Sequence, residues 1–203
     1  MKHYLGNDLP NKNASKFVRL GDLTRTVKRG LSSYYLQGDD VEVPMINIKD
    51  LANVRIIIDA VDHVSVRKTP LLERSRIESG DVILAIRGFN FKAAVADESV
   101  RNAVISANLI ALTLSEEVKP ELIAAYFNSP LGQNMIRARA SGATIKGLNS
   151  RDLLDISIPL PPLSVQESLS RYLTLAREYD DLLLKELSLR QKLTDAVVLR
   201  IMR

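Results

Sequence analysis

Residues 163–203 set the strongest limit on the fold, because they contain neither glycine nor proline. Ser164 and Glu167 have the Ser-x-x-Glu spacing of a capping box, which predicts that a helix begins there. A helix continuing to the C-terminus would measure roughly 60 Å at about 1.5 Å per residue. The remaining chain cannot cover a helix of that length, so we expect it to need a partner helix. The alternative is a helix that folds back across its own domain.

The apolar side chains of this segment recur at heptad spacing, which is typical of helices that pair with other helices. Glu186, Arg190 and Arg200 interrupt the pattern. We predict that the seam for a partner helix is formed by Leu169, Tyr172, Leu173, Ala176, Tyr179, Leu183, Leu187, Leu193, Val197 and Ile201.

The composition narrows the class of protein. The chain has 203 residues, no cysteine and two histidines, His3 and His63, so zinc sites and Cys- or His-based nucleophilic catalysis lose their usual groups. Its apolar runs are far shorter than the roughly 20 residues of a membrane-spanning helix, and its first residues are polar. We therefore expect a cytoplasmic protein that does not associate with a membrane.

The sequence lacks the motifs of common enzymes. It contains no G-x-G-x-x-G, no Walker-type phosphate loop, and no Asn/Asp-Pro-Pro-aromatic motif of an amino-methyltransferase. The acidic pairs Asp39/Asp40, Asp97/Glu98 and Asp180/Asp181 have no strand lysine nearby and are interpreted as solvated surface. A non-catalytic binding protein without a metal or a cofactor of its own is predicted. A small nuclease with an unrecognised site is the enzymatic alternative.

Alternating apolar and β-branched runs predict an α+β fold. Strands are expected within residues 41–51, 54–66, 103–114 and 156–160, with a central strand at 82–86. Pro120 opens a helical region, either one helix or two with a kink at Pro130, and Pro161 and Pro162 end the last strand. The predicted architecture is a mixed α/β domain with a small twisted sheet and flanking helices, followed by one long coiled-coil-like helix.

Positive charge is concentrated in two stretches. Residues 1–30 carry seven Lys/Arg against two acids, and residues 131–151 carry four Lys/Arg and no acid. If the fold brings the two stretches together, they form a cationic face for a polyanion. The alternative is that scattered basic residues merely solvate the surface.

Three predicted loops combine basic side chains with groups that can contact base edges, which suits DNA. In the third loop, Gly142 and Gly147 would let backbone amides approach a phosphate. The candidate DNA-binding residues are Arg25, Lys28, Arg29, Ser33, Tyr34, Tyr35 and Gln37 in the first loop, Arg87, Asn90 and Lys92 in the second, and Thr144, Lys146, Asn149 and Arg151 in and after the third.

The stretches VRLGDL (18–23), GDVILAIRG (80–88), ANLIALT (107–113) and ASGATIKGLNSRDLLDISIPLPPLSVQE (140–167), with the helix that follows, resemble the DNA-specificity (S) subunits of type I restriction-modification systems. The resemblance implies a flexible segment at 1–16, a target-recognition domain at 17–162 and a conserved-region helix at 163–203. Family members usually contain two such domains and two antiparallel helices, so this chain resembles half of one.

The resemblance also implies the partners. Methyltransferase subunits that hold S-adenosylmethionine would grip the helix, and a restriction subunit would do any cleavage. Two copies of the chain would then read a bipartite, palindromic duplex, since a two-fold dimer reads one half-site twice. The alternative is a regulatory or decoy protein that occupies methyltransferase subunits without choosing DNA.

Overall fold

The computed structural model describes residues 15–36, 40–52, 54–58, 61–142 and 147–202, with only the backbone of Ser33 and Leu36. The strands are β1 (Lys16–Arg19), β2 (Thr24–Arg29), β3 (Val41–Ile46), β4 (Leu51–Ala52), β5 (Arg55–Ile56), β6 (Asp62–Val66), β7 (Val82–Ala85), β8 (Ala93–Val95), β9 (Val104–Ile105), β10 (Leu109–Leu114) and β11 (Ser157–Leu160). The α-helices are α1 (Pro70–Ser75), α2 (Pro120–Asn128), α3 (Pro130–Arg139), α4 (Ser150–Leu154) and α5 (Leu163–Ile201). Single 3-10 turns occur at Leu20–Leu23, Ser33–Leu36, Ile48–Asp50 and Glu98–Val100.

The largest sheet is antiparallel, in the order β2-β10-β7-β8. All four residues of β7 are buried, which confirms the predicted central strand. Val82 and Leu84 pack into the cluster that contains α2 and α3, while Ile83 and Ala85 pack into a second cluster on the opposite face. Because successive side chains of a strand point to opposite faces, a continuous apolar run fits a sheet covered on both sides.

Residues 103–114 differ from the predicted single strand. The chain turns between β9 and β10, where the Leu109 N–H donates to the Ser106 carbonyl at 2.9 Å. β9 joins a smaller sheet of order β6-β3-β9, in which it runs parallel to β3, and β10 joins the large sheet. The unbroken apolar run hid the turn, because both strands are buried.

Residues 120–139 form two helices rather than one. Ser129 ends α2 and is the N-cap of α3. Its Oγ accepts a hydrogen bond from the Gly132 N–H at 3.2 Å. A Cβ at Gly132 would lie 2.1 Å from the Tyr126 carbonyl oxygen, so only glycine allows α3 to turn this closely against α2.

The segment before the long helix contains a short helix, α4, that the sequence analysis missed. After α4, β11 pairs with β1 in antiparallel register and with no other of the described strands. Pro159 is therefore tolerated in β11, because a strand with one neighbour needs backbone donors on one side only.

The helix α5 is 39 residues long and begins at Leu163, with Pro162 as its N-cap. The capping box predicted at Ser164 and Glu167 is wrong, because no side chain caps this terminus. Instead, Gln166 anchors the helix and is only 2% exposed. Its Oε1 accepts from the Lys119 N–H at 3.0 Å, and its Nε2 donates to the carbonyls of Glu117 and Pro161 at 3.1 and 3.0 Å.

The first part of α5 packs against the domain. Leu169 joins the main core cluster, and Ser170 donates to Glu121 at 3.2 Å. The last contact between α5 and the domain is the ion pair of Arg55 Nη1 and Asp181 Oδ2 at 2.5 Å. This hydrogen bond raises the pKa of the Arg55 guanidinium. Apart from this pair, residues 178–202 are exposed along their whole length. None of the helices within the described ranges is long and apolar enough to cross a membrane.

Candidate nucleic-acid interface

A cavity of about 420 Å³ opens at one end of the large sheet, between β2, the end of β7 and the segment before α4. Arg29 is the last residue of β2 and Arg87 lies two residues beyond β7, so the two strands bring both arginines to the same cavity. The polar side chains of Ser141, Asn149 and Ser150 also line it. Two arginines with hydroxyl and amide groups form a site suited to phosphate and base edges.

Backbone hydrogen bonds join the described ends of the 141–149 loop beside this cavity. Ser141 and Gly147 exchange N–H···O bonds of 3.0 and 2.8 Å, which close the base of the loop. The next residue, Leu148, donates to the Ile86 carbonyl at 2.8 Å and ties the loop to the end of β7. Gly142 has φ of +120°, which favours glycine at that position. Thr144 and Lys146 lie outside the described residues.

The third loop and α4 also carry Asn149 and Arg151. Asn149 is the N-cap of α4: its side-chain oxygen accepts from the Asp152 N–H at 2.8 Å, and its Nδ2 donates to Asp152 Oδ2 at 2.6 Å. Its amide is thus largely committed to holding the helix start. Arg151 is exposed in the first turn of α4.

Lys28 is a correction to the predicted set. Its side chain is 9% exposed, and its Nζ lies 2.9 Å from Asp81 Oδ2 and 3.3 Å from Glu78 Oε2. Asp81 is fixed further by the Thr113 hydroxyl at 2.6 Å. Because neighbouring residues of a strand face opposite ways, Arg29 is exposed where Lys28 is buried, and Lys28 is a structural ion pair rather than a DNA contact.

Arg25 is exposed and pairs with Glu116 at 3.1 Å. It lies four residues before Arg29 on the same strand, roughly 13 Å away at about 3.3 Å per residue. Arg25 therefore does not belong to the cavity.

The second loop divides between two places. Asn90 is exposed in the turn after Arg87, whereas Lys92 is half-buried and lines a different cavity of about 590 Å³ beneath α5. The same turn presents Phe89, which is 74% exposed and was missed by the sequence analysis. The signal available in the sequence was the phenylalanine of "RGFN", beside an arginine and a glycine, because a phenylalanine can contact a thymine methyl group.

The first loop continues from the cavity. A Cβ at Gly30 would lie 1.9 Å from the Ser106 carbonyl oxygen, so glycine is required where β2 passes the β9–β10 turn. Tyr34 follows, 73% exposed, with its ring perpendicular to that of the half-buried Tyr35 at 5.3 Å between centroids. Gln37 lies outside the described residues, and nothing is described of the Ser33 side chain.

The predicted helix seam is also divided. Leu169, Leu173 and Ala176 are half-buried and face the domain, whereas the other seven are exposed: Tyr172, Tyr179, Leu183, Leu187, Leu193, Val197 and Ile201. A second exposed apolar stripe, missed in the sequence, adds Leu175, Leu182 and Leu189. Among the described side chains, no cluster of histidine and acidic groups could hold a metal ion.

The structure is thus an α+β domain with two arginines at one end of its largest sheet, joined to a long helix whose second half is exposed. The family model described as the type I restriction modification DNA specificity domain matches residues 13–186. The chain belongs to this family.

Solved structures show the same fold. The HsdS subunit from Thermoanaerobacter tengcongensis aligns at a TM-score of 0.59 with 20% identity, over 87% of this chain and 40% of that one. A structure that describes complex assembly and conformational transition of the type I R-M system aligns at a TM-score of 0.57 with 21% identity, over 87% of this chain and 41% of that one. The type I restriction-modification S subunit from M. genitalium aligns at 0.56 with 17% identity, over 86% and 41%.

This chain therefore spans about two fifths of the length of these structures. No curated protein matches its sequence.

Proposed function

We propose that this chain reads one half of a bipartite DNA target and directs methyltransferase subunits to it, as a non-catalytic recognition subunit. The observation that carries the proposal is the cavity lined by both Arg29 and Arg87, in a chain of the DNA specificity family. Arginine pairs bind phosphate groups and guanine edges with the same fork of donors. The exposed Tyr34 follows Arg29 in the sequence, and the exposed Phe89 follows Arg87. Both supply aromatic surface near the two arginines in the chain.

The roles within this surface differ. Arg29 and Arg87 hold phosphates, which positions the duplex without reading its sequence. The segment around Tyr34 and Tyr35, with Gln37, contacts base edges and decides which half-site is preferred. Asn90, Thr144, Lys146 and Arg151 add further cationic and polar groups that bind DNA.

Two copies of the chain pair through α5 in this proposal. Outside its first turns, α5 exposes apolar side chains along its length, and isolated helices with such faces associate. One stripe serves the second copy, and the stripe containing Leu175, Leu182 and Leu189 is available to methyltransferase subunits. Those subunits supply S-adenosylmethionine and the methyl-transfer chemistry, and a restriction subunit joins where the system cleaves DNA.

The test is selection from randomised duplex DNA by this chain co-expressed with its candidate methyltransferase subunit, with the mass of the bound complex measured alongside. The proposal predicts enrichment of two inverted half-sites by a complex containing two copies. A stable protein complex that enriches no sequence would contradict it and favour the regulatory or decoy role. Metal-dependent nicking by the isolated chain would contradict the non-catalytic assignment.

A further inference from the structure

One line of residues along α5, which includes seven of the ten predicted seam residues, is interrupted by two opposite charges placed symmetrically. Along one line of the helix, residues alternate four and three apart: Leu169, Leu173, Ala176, Asp180, Leu183, Leu187, Arg190, Thr194, Val197 and Ile201. Asp180 and Arg190 lie equally far from the point midway between Leu183 and Leu187. The line is thus apolar, or small and polar, except at one acid and one base.

We propose that α5 pairs with α5 of a second copy in one antiparallel register, set by Asp180 of each copy binding Arg190 of the other. This inference rests on the proposed dimer and specifies its interface. In a two-fold interface, each contact occurs twice with the roles exchanged, so the two charges satisfy each other at both ends. The intervening layers place Leu183 of each copy against Leu187 of the other.

The same register aligns the rest of the seam. Moving outward from Asp180, Ala176 comes level with Thr194 of the other copy, and Leu173 comes level with Val197. Because Ala176 and Leu173 face their own domain, Thr194 and Val197 lie at the edge between α5 and that domain. The outermost layer brings Leu169 to Ile201. Each layer joins the two kinds of heptad core position, as antiparallel helices require.

Other registers bury a charge without a partner. Sliding one helix by one heptad brings Asp180 opposite Val197 in one direction and Arg190 opposite Leu173 in the other. A parallel pair would place Asp180 against its own copy. An unpaired charge in an apolar layer costs far more than one that is paired, so these arrangements are disfavoured.

The domain supplies an independent reason for the register. Leu169 and Leu173 line an apolar cavity of about 350 Å³, whose other walls come from α2 and β11. In the proposed register, Ile201 and Val197 of the second copy lie beside this cavity. These two side chains are 78% and 47% exposed in the single chain, and the cavity offers them an apolar contact.

Both charges are accessible for the pairing. Asp180 is exposed at the rim of the cavity beneath α5, where Arg177 and Lys92 also lie. Arg190 is 73% exposed and donates to Glu186 of its own helix at 2.5 Å. A guanidinium has five N–H donors, so Arg190 can bind Glu186 and Asp180 of the other copy together.

The test uses charge exchange in the full-length chain, with dimerisation measured by sedimentation and native mass. Asp180→Arg and Arg190→Asp should each weaken dimerisation by about a hundredfold or more, because like charges then meet twice. The double variant Asp180→Arg/Arg190→Asp should dimerise as the unaltered chain does. Mixing the two single variants should give the heterodimer, in which every pair is again opposite.

Asp181→Arg is the matched control, because Asp181 binds Arg55 of its own domain and lies off the seam. It should leave dimerisation unchanged. A dimeric unaltered chain whose dimer survives Asp180→Arg would overturn the register and leave the proposed function standing. An unaltered chain that stays monomeric, even with its methyltransferase subunit, would overturn the homodimer itself.

Discussion

At the scale of single residues, Arg29 and Arg87 are the proposed DNA contacts of the cavity. We predict that Arg87→Ala weakens binding to every duplex and lowers the slope of log K against log salt by about one unit, as loss of one phosphate contact does. Arg101→Ala is the control: the Asn102 N–H donates to the Ile77 carbonyl at 3.1 Å, so Arg101 lies near the segment that precedes β7, whereas Arg87 follows the end of that strand. Equal losses for both variants, measured by titration at several salt concentrations, would contradict a specific role for the cavity.

Lys28 is expected to stabilise the fold rather than to bind DNA. Replacing it with methionine leaves Asp81, which is 1% exposed, without its cation. We therefore expect the free energy of unfolding to fall by about 3 kcal/mol. Adding Asp81→Leu should recover part of that loss, since the two effects are coupled. Urea unfolding measures the change, and the folded variant should keep its DNA preference. A changed DNA preference with unaltered stability would contradict the structural role and support a DNA contact by Lys28.

The sequence could identify which stretches are basic but not which side chains face outward. Alternation from Val27, the one apolar residue of β2, would point the odd-numbered positions inward. Lys28 is nevertheless the more buried residue, because it pairs with Asp81, which lies just before β7 on the far side of β10. That pairing joins positions 53 residues apart, which no local pattern contains.

At the scale of elements, Gln166 fastens α5 to the domain. Gln166→Ala would leave the Lys119 N–H and the Glu117 and Pro161 carbonyls without this partner, and we expect a loss of about 2–3 kcal/mol in unfolding free energy. Glu167→Ala is the comparison, because Glu167 is exposed and caps nothing; its effect should stay within about 0.5 kcal/mol. Urea denaturation gives both values, and a larger loss for Glu167→Ala would restore the capping box.

Elements with a strong period were predictable from sequence, and elements defined by tertiary contacts were not. The buried β7 and the long α5 follow from apolar runs and from the absence of helix breakers. The division of 103–114 between two sheets depends on what each half pairs with, and α4 is a single turn whose cap, Asn149, was interpreted as a DNA contact.

At the scale of the whole molecule, the proposed function gives the domain the reading of one half-site and gives α5 the spacing between two half-sites. The domain holds α5 as far as Asp181, so the direction of the helix relative to the cavity is fixed by Gln166, Leu169 and the Arg55 ion pair. If two helices pair antiparallel, the two cavities face the duplex at a fixed separation. The length of α5 was predictable, but its division into a packed and an exposed part depends on the surface of the domain.

The most direct test is to sequence the methylated DNA of cells that express this chain with its methyltransferase subunit and no other specificity subunit. The account predicts one methylated motif: two identical half-sites in inverted orientation, separated by a spacer of constant length. An asymmetric motif would contradict pairing of two identical copies, and methylation without any preferred sequence would contradict recognition by this chain.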